Sequence, residues 1–466
     1  MTGRHRGAGT TLGPRAAVGV AAVAAANRAS RRLGRGSGTV AGGRIGLVLD
    51  PGLLGELGRS RRVALVTGTN GKTTTTRLLS AAVSPNGDVA TNDTGANMPA
   101  GHLAALVARP DAPNAVLEVD EVYLGTVVEA VWPRVVVLLN LSRDQLDRTN
   151  EVRMLAARWR ESLGRPPAGP VAPSVVANAD DPLVVWAASG AVGPCTWVGA
   201  GQVWRQDAVG CPACGGRIRF GPGSAWACDS CGLERPPCAA WLEDGSLVRP
   251  DGSRLPVRLS IPGRFNQANA IMAAVAAPLL LANSADGAST PGVPTVEEAL
   301  DRMALVDDVA GRFAVLDRHG AGVRLALAKN PAGWTAIFDL LEEERMTADG
   351  PAEGACHLVL SVNARVADGA DTSWLWDVPF ERLAGLPAVV ATGERHRDLA
   401  VRLRYAGVEH VAVADPLAAV DAALARRGST GGSGSARPVA SPTDARCPAV
   451  TVVANYTAFT ALRSRW

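Results

Sequence analysis

The chain has 466 residues, 47% of them hydrophobic, an ordinary globular composition with length enough for about three domains. Its net charge of +3 is too small for a nucleic-acid-binding surface. Of 47 basic residues only Lys72 and Lys329 are lysines, so each marks a place where a compact ammonium is not replaced by the broad guanidinium fork.

Residues 1–62 carry 11 Arg against Asp50 and Glu56, a local +9 that leaves −6 for the remainder. This basic N-terminal segment (1–58) suits either an anionic membrane surface or a solvated tail. Residues 16–26 (AAVGVAAVAAA) imitate a signal peptide but are too short to span a bilayer, and a short amphipathic helix is expected there. No other stretch approaches a transmembrane run.

Beyond residue 62, apolar strand-like runs alternate with helical stretches, which predicts an α/β fold. Strands are expected at 63–67, 115–120, 134–142 and 174–179, each ending in polar residues, where ligand sites of parallel sheets collect. Over about 201–243 the pattern breaks, and that stretch, with five of the eight cysteines, reads as an insertion. A helix follows at 266–281, then a loop at 284–294. A second α/β series begins near 306, with strands at 322–328, 357–363, 387–392, 410–414 and 449–455 and helices at 334–345, 396–406 and 416–427. Residues 428–446, rich in Gly, Ser and Pro, read as a flexible surface loop. The expected domains are therefore 59–305, bearing the insertion, and 306–466.

The strand at 63–67 runs into Gly68-Thr69-Asn70-Gly71-Lys72-Thr73-Thr74. A strand, a glycine turn, a lysine and hydroxyl residues opening a helix form a phosphate cradle: backbone N–H groups and the helix N-terminus face the anion. Lys72 would reach the terminal phosphates and Thr73 would ligate Mg²⁺. Val66 stands where the general motif has its first glycine.

In the insertion, Cys211-Pro-Ala-Cys214 and Cys228-Asp-Ser-Cys231 are two CxxC pairs separated by 13 residues. Two such knuckles suit tetrahedral Zn²⁺, and four thiolates leave no open coordination position, so a structural zinc is expected. A disulfide framework would need an oxidising compartment, whereas a phosphate loop points to the cytoplasm. Cys195, Cys238, Cys356 and Cys447 lack motif context and read as small apolar residues.

The string Thr67–Thr75 (TGTNGKTTT) resembles the ATP loop of the Mur ligase superfamily, which joins amino acids to carboxylates through acyl phosphates. Further matches follow in order: Glu118 at a strand end, Asn140-Leu-Ser-Arg-Asp144-Gln145-Leu-Asp147, Asn178-Ala-Asp-Asp-Pro182, Gly263-Arg-Phe-Asn266-Gln-Ala-Asn269, and Gly311-Arg312. The resemblance implies a central P-loop ATPase domain with a four-Cys zinc-ribbon insertion and a Rossmann-like C-terminal domain. It assigns ATP binding to Gly68, Thr69, Asn70, Gly71, Lys72, Thr73, Thr74, Asn266, Asn269 and Arg312. It assigns Mg²⁺ to Thr73 and Glu118, and catalysis to Lys72 and Glu118. Two departures stand out: Gln145 replaces the usual His, and residues 148–170 lack the modified lysine of conventional members.

Within the superfamily the chain resembles the MurT branch, from about residue 30 to 460. The four-Cys insertion carries this, together with Gly95-Ala-Asn-Met98, Asp120-Glu121, Leu327-Ala-Lys329-Asn-Pro-Ala-Gly333, Ala367-Asp-Gly-Ala-Asp371-Thr-Ser-Trp374 and Asn455-Tyr-Thr457. Just before Ala367, Asn363-Ala364-Arg365 departs from the branch's N-D-N. The resemblance implies ATP-dependent amidation of the D-glutamate α-carboxylate of the lipid II stem peptide, with ammonia supplied from glutamine by a GatD-type glutaminase partner. In that branch the residue matching Asp371 completes the partner's Cys–His pair. The alternative is a stand-alone Mur or folylpolyglutamate-type amino-acid ligase, against which the cysteine insertion, Gln145 and the missing lysine count.

Overall fold

The computed structural model describes residues 13–32, 39–92, 95–143, 152–167, 169–201, 204–282, 292–306, 313–347, 357–386, 389–430 and 448–466. Arg312, Asp144–Asp147 with Gln145, and most of the 284–294 and 428–446 loops lie outside these residues.

The N-terminal half contains helices α1 (Pro14–Arg32), α2 (Thr39–Leu49) and α3 (Leu53–Arg59), then strand β1 (Arg62–Thr67) and helix α4 (Lys72–Val83). There follow β2 (Val89–Thr91), α5 (Pro99–Ala108), β3 (Asn114–Glu118), α6 (Leu124–Val131), β4 (Val135–Leu138), α7 (Val152–Gly164), β5 (Ser174–Asn178), α8 (Pro182–Ala188) and β6 (Cys195–Gly199). The insertion carries the hairpin β7 (Ile218–Phe220) and β8 (Trp226–Cys228). It is followed by β9 (Ala240–Glu243), β10 (Ser246–Val248), β11 (Arg254–Pro256), α9 (Arg264–Leu281) and α10 (Val296–Met303).

These strands form a nine-stranded sheet in the order β11-β10-β9-β6-β5-β4-β1-β3-β2. It is parallel from β2 to β9, and β10 and β11 extend it antiparallel. Strand β1 is apolar from Val63 to Val66, as suits a strand covered on both faces. Val63 and Leu65 point into the core under α3, α5, α6, α7 and α8, while Ala64 and Val66 point into the core under α4, α9 and α10. Because β3 and β4 flank β1 on opposite sides, the chain reverses its direction of winding at β1. Its carboxyl end is therefore the topological switch point, where ligands of open α/β sheets bind.

The described residues of the basic N-terminal segment pack into the first sheet domain. Ala16, Val23, Leu53, Leu54 and Leu57 are buried in the same core as Val63 and Leu65. Glycines make this possible: a Cβ on Gly43 would lie 1.8 Å from the Ala100 carbonyl oxygen, and one on Gly46 2.5 Å from the Val23 side chain. α2 thus packs backbone-close against α5 and α1.

The C-terminal half is β12 (Phe313–Arg318), β13 (Ala321–Leu327), α11 (Pro331–Thr347), β14 (His357–Ser361), β15 (Val389–Thr392), α12 (His396–Tyr405), β16 (Val411–Ala412), α13 (Pro416–Thr430), β17 (Val450–Ala454) and α14 (Tyr456–Arg465). Its six-stranded sheet runs β12-β13-β17-β14-β15-β16, parallel except for the edge strand β12. β12 was not among the expected strands. It pairs back on β13 through His319 (φ 54°) and Gly320 (φ 77°), a left-handed two-residue hairpin turn. Trp334, Phe338 and Phe380 cluster under α11, with the Trp334 and Phe380 rings 5.5 Å apart.

Candidate functional site

Strand β1 ends at Thr67, and the chain turns through two left-handed glycines before α4 begins at Lys72. At Gly68 (φ 143°) a Cβ would meet the Leu139 Cβ at 2.8 Å; at Gly71 (φ 87°) it would meet the Asn269 Oδ1 at 2.5 Å. Both positions combine a positive φ with a close approach, so only glycine fits.

The expected strand 134–142 leaves the ladder after Leu138, and its last residues brace this loop instead. Thr69 N–H donates to the Asn140 carbonyl (2.9 Å), Asn70 N–H to Asn140 Oδ1 (2.9 Å), and Asn140 Nδ2 back to the Asn70 carbonyl (3.0 Å). Thr69 Oγ1 donates to the Ser142 carbonyl and accepts from Ser142 N–H, both at 3.0 Å. From the C-terminal half, Asn330 Nδ2 donates to Asn70 Oδ1 at 3.2 Å.

The Lys72 side chain is buried and donates from Nζ to the Gly68 carbonyl (2.7 Å), the Thr69 carbonyl (3.3 Å) and Glu121 Oε1 (3.1 Å). Glu121 is itself buried. The sequence showed it only as a neighbour of Glu118; its pairing with Lys72 is a tertiary contact without a local signal. One residue on, Thr73 Oγ1 donates to Glu118 Oε2 at 2.7 Å. A hydroxyl and a carboxylate oxygen thus converge at the head of α4. Hard oxygen donors at a phosphate loop fit Mg²⁺, which keeps several waters and takes few protein ligands.

Glu118 is held from behind. Asn92 brackets its backbone, with Oδ1 accepting from Glu118 N–H and Nδ2 donating to the Glu118 carbonyl, each at 2.8 Å. His102 Nε2 lies 2.8 Å from the same carbonyl. Burial pushes the His102 pKa down to about 4. The ring is therefore neutral, with its proton on Nε2, donating to that carbonyl. Asn92 and His102 were not among the expected site residues, because both act on backbone.

A cleft opens above the loop. Asn70, Gly71, Thr74, Asn140, Asn178, Asn266 and Asn269 line one side, and Leu327, Ala332, Gly333 and Ile337 of the C-terminal half line the other. Asn266 Nδ2 is fixed by the Pro262 carbonyl at 2.6 Å. The loop residues Gly68–Thr74, Glu118, Asn266 and Asn269 thus lie together around the head of α4. Asp371 is elsewhere: it is exposed, it does not line the cleft, and its Oδ1 accepts from Ser373 N–H at 2.8 Å. That bond holds its carboxyl below the usual range.

In the insertion, the Sγ atoms of Cys211, Cys214, Cys228 and Cys231 lie within 4.8 Å of one another. The Cys211–Cys231 and Cys214–Cys228 pairs are 3.6 Å apart, a spacing that four thiolates around one tetrahedral Zn²⁺ require. Gly216 N–H and Ser230 N–H donate to Cys214 and Cys228 sulfur, and the Ser230 bond draws the Cys228 thiol down to about 7. The ribbon docks on the sheet domain through Trp226 Nε1, which donates to the Ala179 carbonyl at 2.9 Å, and Arg235, which pairs with Asp180 at 2.6 Å.

Comparison with known proteins agrees with this arrangement. The model of the Mur ligase middle domain matches residues 66–198, and that of the MurT ligase C-terminal domain matches residues 327–459. The lipid II isoglutaminyl synthase (glutamine-hydrolyzing) subunit MurT of Streptococcus pneumoniae is 29% identical over 401 residues, covering 81% of this chain and 83% of that protein. Among solved structures, a pseudomurein peptide ligase type C from Methanothermus fervidus aligns with a TM-score of 0.60 at 18% identity, over 87% of this chain and 78% of that one. The bifunctional folylpolyglutamate synthase/dihydrofolate synthase from Yersinia pestis, complexed with AMPPNP and a Mn ion, aligns with a TM-score of 0.51 at 15% identity, over 88% and 90%. With a phosphate loop at the switch point of its first sheet and a four-cysteine ribbon, the chain joins a Mur ligase middle domain to a MurT-type C-terminal domain.

Proposed function

We propose that the chain is the ligase subunit of an isoglutaminyl synthase, amidating the D-glutamate α-carboxylate of the lipid II stem peptide at the expense of ATP. The observation that carries this is the convergence of Lys72, Thr73 and Glu118 at the head of α4, beneath a cleft walled by a MurT-type domain. A carboxylate oxygen of the substrate attacks the γ-phosphorus of ATP, giving an acyl phosphate and ADP. The nitrogen lone pair of ammonia then attacks the acyl carbon, a proton is lost, and phosphate leaves with the electrons of the C–O bond. Little covalent chemistry falls to the protein, which positions the reactants and stabilises charge. The backbone N–H groups of Gly68–Thr74 and the α4 N-terminus cradle phosphate oxygens. Lys72 exchanges Glu121 for the terminal phosphates. Mg²⁺, held by Thr73 and Glu118, would offset charge on the transferring group.

The described residues offer no cysteine nucleophile for releasing ammonia from glutamine. Among the described cysteines, four form the ribbon cluster, and burial pushes the Cys195 and Cys238 thiols up to about 12 and 11, so neither is a nucleophile. A GatD-type glutaminase partner supplies it. In this reading Asp371 orients that partner's catalytic histidine, as the third member of a triad does; its exposure and its lowered pKa support this. Zn²⁺ in the four-cysteine ribbon would be structural. The test is the chain co-purified with its glutaminase, given lipid II, ATP and glutamine. The product expected is lipid II with one OH replaced by NH₂, read by mass spectrometry. An unchanged mass alongside addition of a whole amino acid would favour a stand-alone ligase instead.

A further inference from the structure

Helix α2 is built the wrong way round for a soluble surface helix. Its inward face is Gly42, Gly43 and Gly46, which let it press against α1 and α5. Its large aliphatics face out: Ile45 is 45% exposed, Val48 79% and Leu49 40%. Their spacing, with Ala41 and Arg44 also exposed, puts them on one outward stripe. Arg15 Nε of α1 donates to the Leu49 carbonyl at 2.8 Å, and Val18, nearly one turn further along α1, is 60% exposed. Arg15, Arg28 and Arg32 of α1 and Arg44 of α2 are all exposed. The acids of the segment are engaged at helix ends: Asp50 accepts from Gly52 N–H and Glu56 from Gly13 N–H. No helix among the described residues is long and apolar enough to cross a membrane.

We propose that this face of α1 and α2 is a docking surface for anionic membrane lipid, with Ile45, Val48 and Leu49 entering the interfacial layer and the exposed arginines meeting lipid phosphates. The charge argues for lipid over a second copy of the chain, since two such faces, each within a segment of net +9 over residues 1–62, repel. An exposed aliphatic stripe on a pair of helices that also expose arginine is the composition of an interfacial surface, whose binding adds buried apolar area to electrostatic attraction. The inference rests on the amidation reading for its purpose: a lipid-linked substrate is met only at a membrane surface.

The test is flotation of the full-length chain with vesicles of phosphatidylglycerol and phosphatidylcholine, against vesicles of phosphatidylcholine alone. Binding to the anionic vesicles only is expected, weakening as salt rises. Arg44→Ala should lower partitioning about fivefold, the effect of one basic residue near such a surface. Val48→Glu with Leu49→Glu should abolish it, while the thermal melt stays unchanged because both side chains are exposed. If the double variant melts early, Arg44→Ala decides alone. Equal binding to neutral vesicles, or variants that float like the parent, would overturn the proposal. So would a parent that self-associates by light scattering and a double variant that does not, since the face would then cover a second copy. Flotation involves no turnover, so it holds or fails apart from the amidation reading, which the product mass decides.

Discussion

The Lys72 ammonium and the Glu121 carboxylate lie 3.1 Å apart, and both side chains are buried. Removing one member of a buried pair leaves the other charge uncompensated, at about 3–5 kcal/mol. Phosphate can replace Glu121 as the counter-ion of Lys72. Glu121→Gln is therefore expected to destabilise the nucleotide-free protein more than the ADP-bound one. Thermal melts with and without ADP check this: the ADP-induced shift should grow in the variant. An unchanged shift would mean that Lys72 does not move to the phosphates.

Lys72→Ala and Glu118→Ala remove charge compensation from the site of phosphoryl transfer. Each should lower amidation by at least about 10²-fold with either nitrogen source. Circular dichroism should show the fold retained. Near-parental turnover in both variants would move the reaction to another part of the chain.

His102 gives the site an acid limit. Its folded pKa, about 4, lies below the ordinary 6.5, so the unfolded chain binds the proton more readily between those values. Stability from this group is thus full above pH 6.5 and declines as pH falls, by about 3 kcal/mol at pH 4. His102→Gln preserves a donor to the Glu118 carbonyl without the titration. Its denaturant midpoint should vary less with pH across that window than the parent's; parallel curves would show that His102 is not the group responsible.

Freshly reduced protein should contain one tightly held Zn²⁺ per chain, and Cys214→Ser should lose both the metal and stability, because metal binding in such ribbons is folding energy. Elemental analysis finding no zinc in the parent would remove the metal from the account.

Asp371→Asn keeps shape but removes the charge that fixes a histidine tautomer. It should stop glutamine-driven amidation and spare amidation supplied with free ammonium, because Asp371 lies outside the cleft. Loss of both reactions would place Asp371 in the ligase site or the fold. Loss of neither would mean that the partner completes its own site.

What the sequence disclosed was what is contiguous in it. The loop Gly68–Thr74 and the two CxxC pairs each gather their groups within a few residues, so spacing alone exposes the chemistry. Glu121, Asn92 and His102 escaped because each acts through a residue that folding brings to it. In the N-terminal segment the arginine charge left a membrane surface and a tail both open, and it hid the packing: Gly43 and Gly46 are packing residues whose role depends on Ala100 and Val23, far along the chain or on another helix. The short strands β9, β10 and β11 escaped for want of length, three or four residues being too few for a period to show.

Strands β6 and β9 lie side by side and parallel, yet the chain between them is the cysteine ribbon, where a parallel pair ordinarily has a helix as its crossover. Leu242 of β9 and Leu247 of β10 pack into the same core as α9, the helix that carries Asn266 and Asn269 into the nucleotide cleft. A cation in the ribbon would shorten the free chain that must close this connection, and so lower the entropy cost of seating the outer strands. The supply of a trace metal would thereby set how firmly the far edge of the sheet backs the wall of the proposed nucleotide cleft.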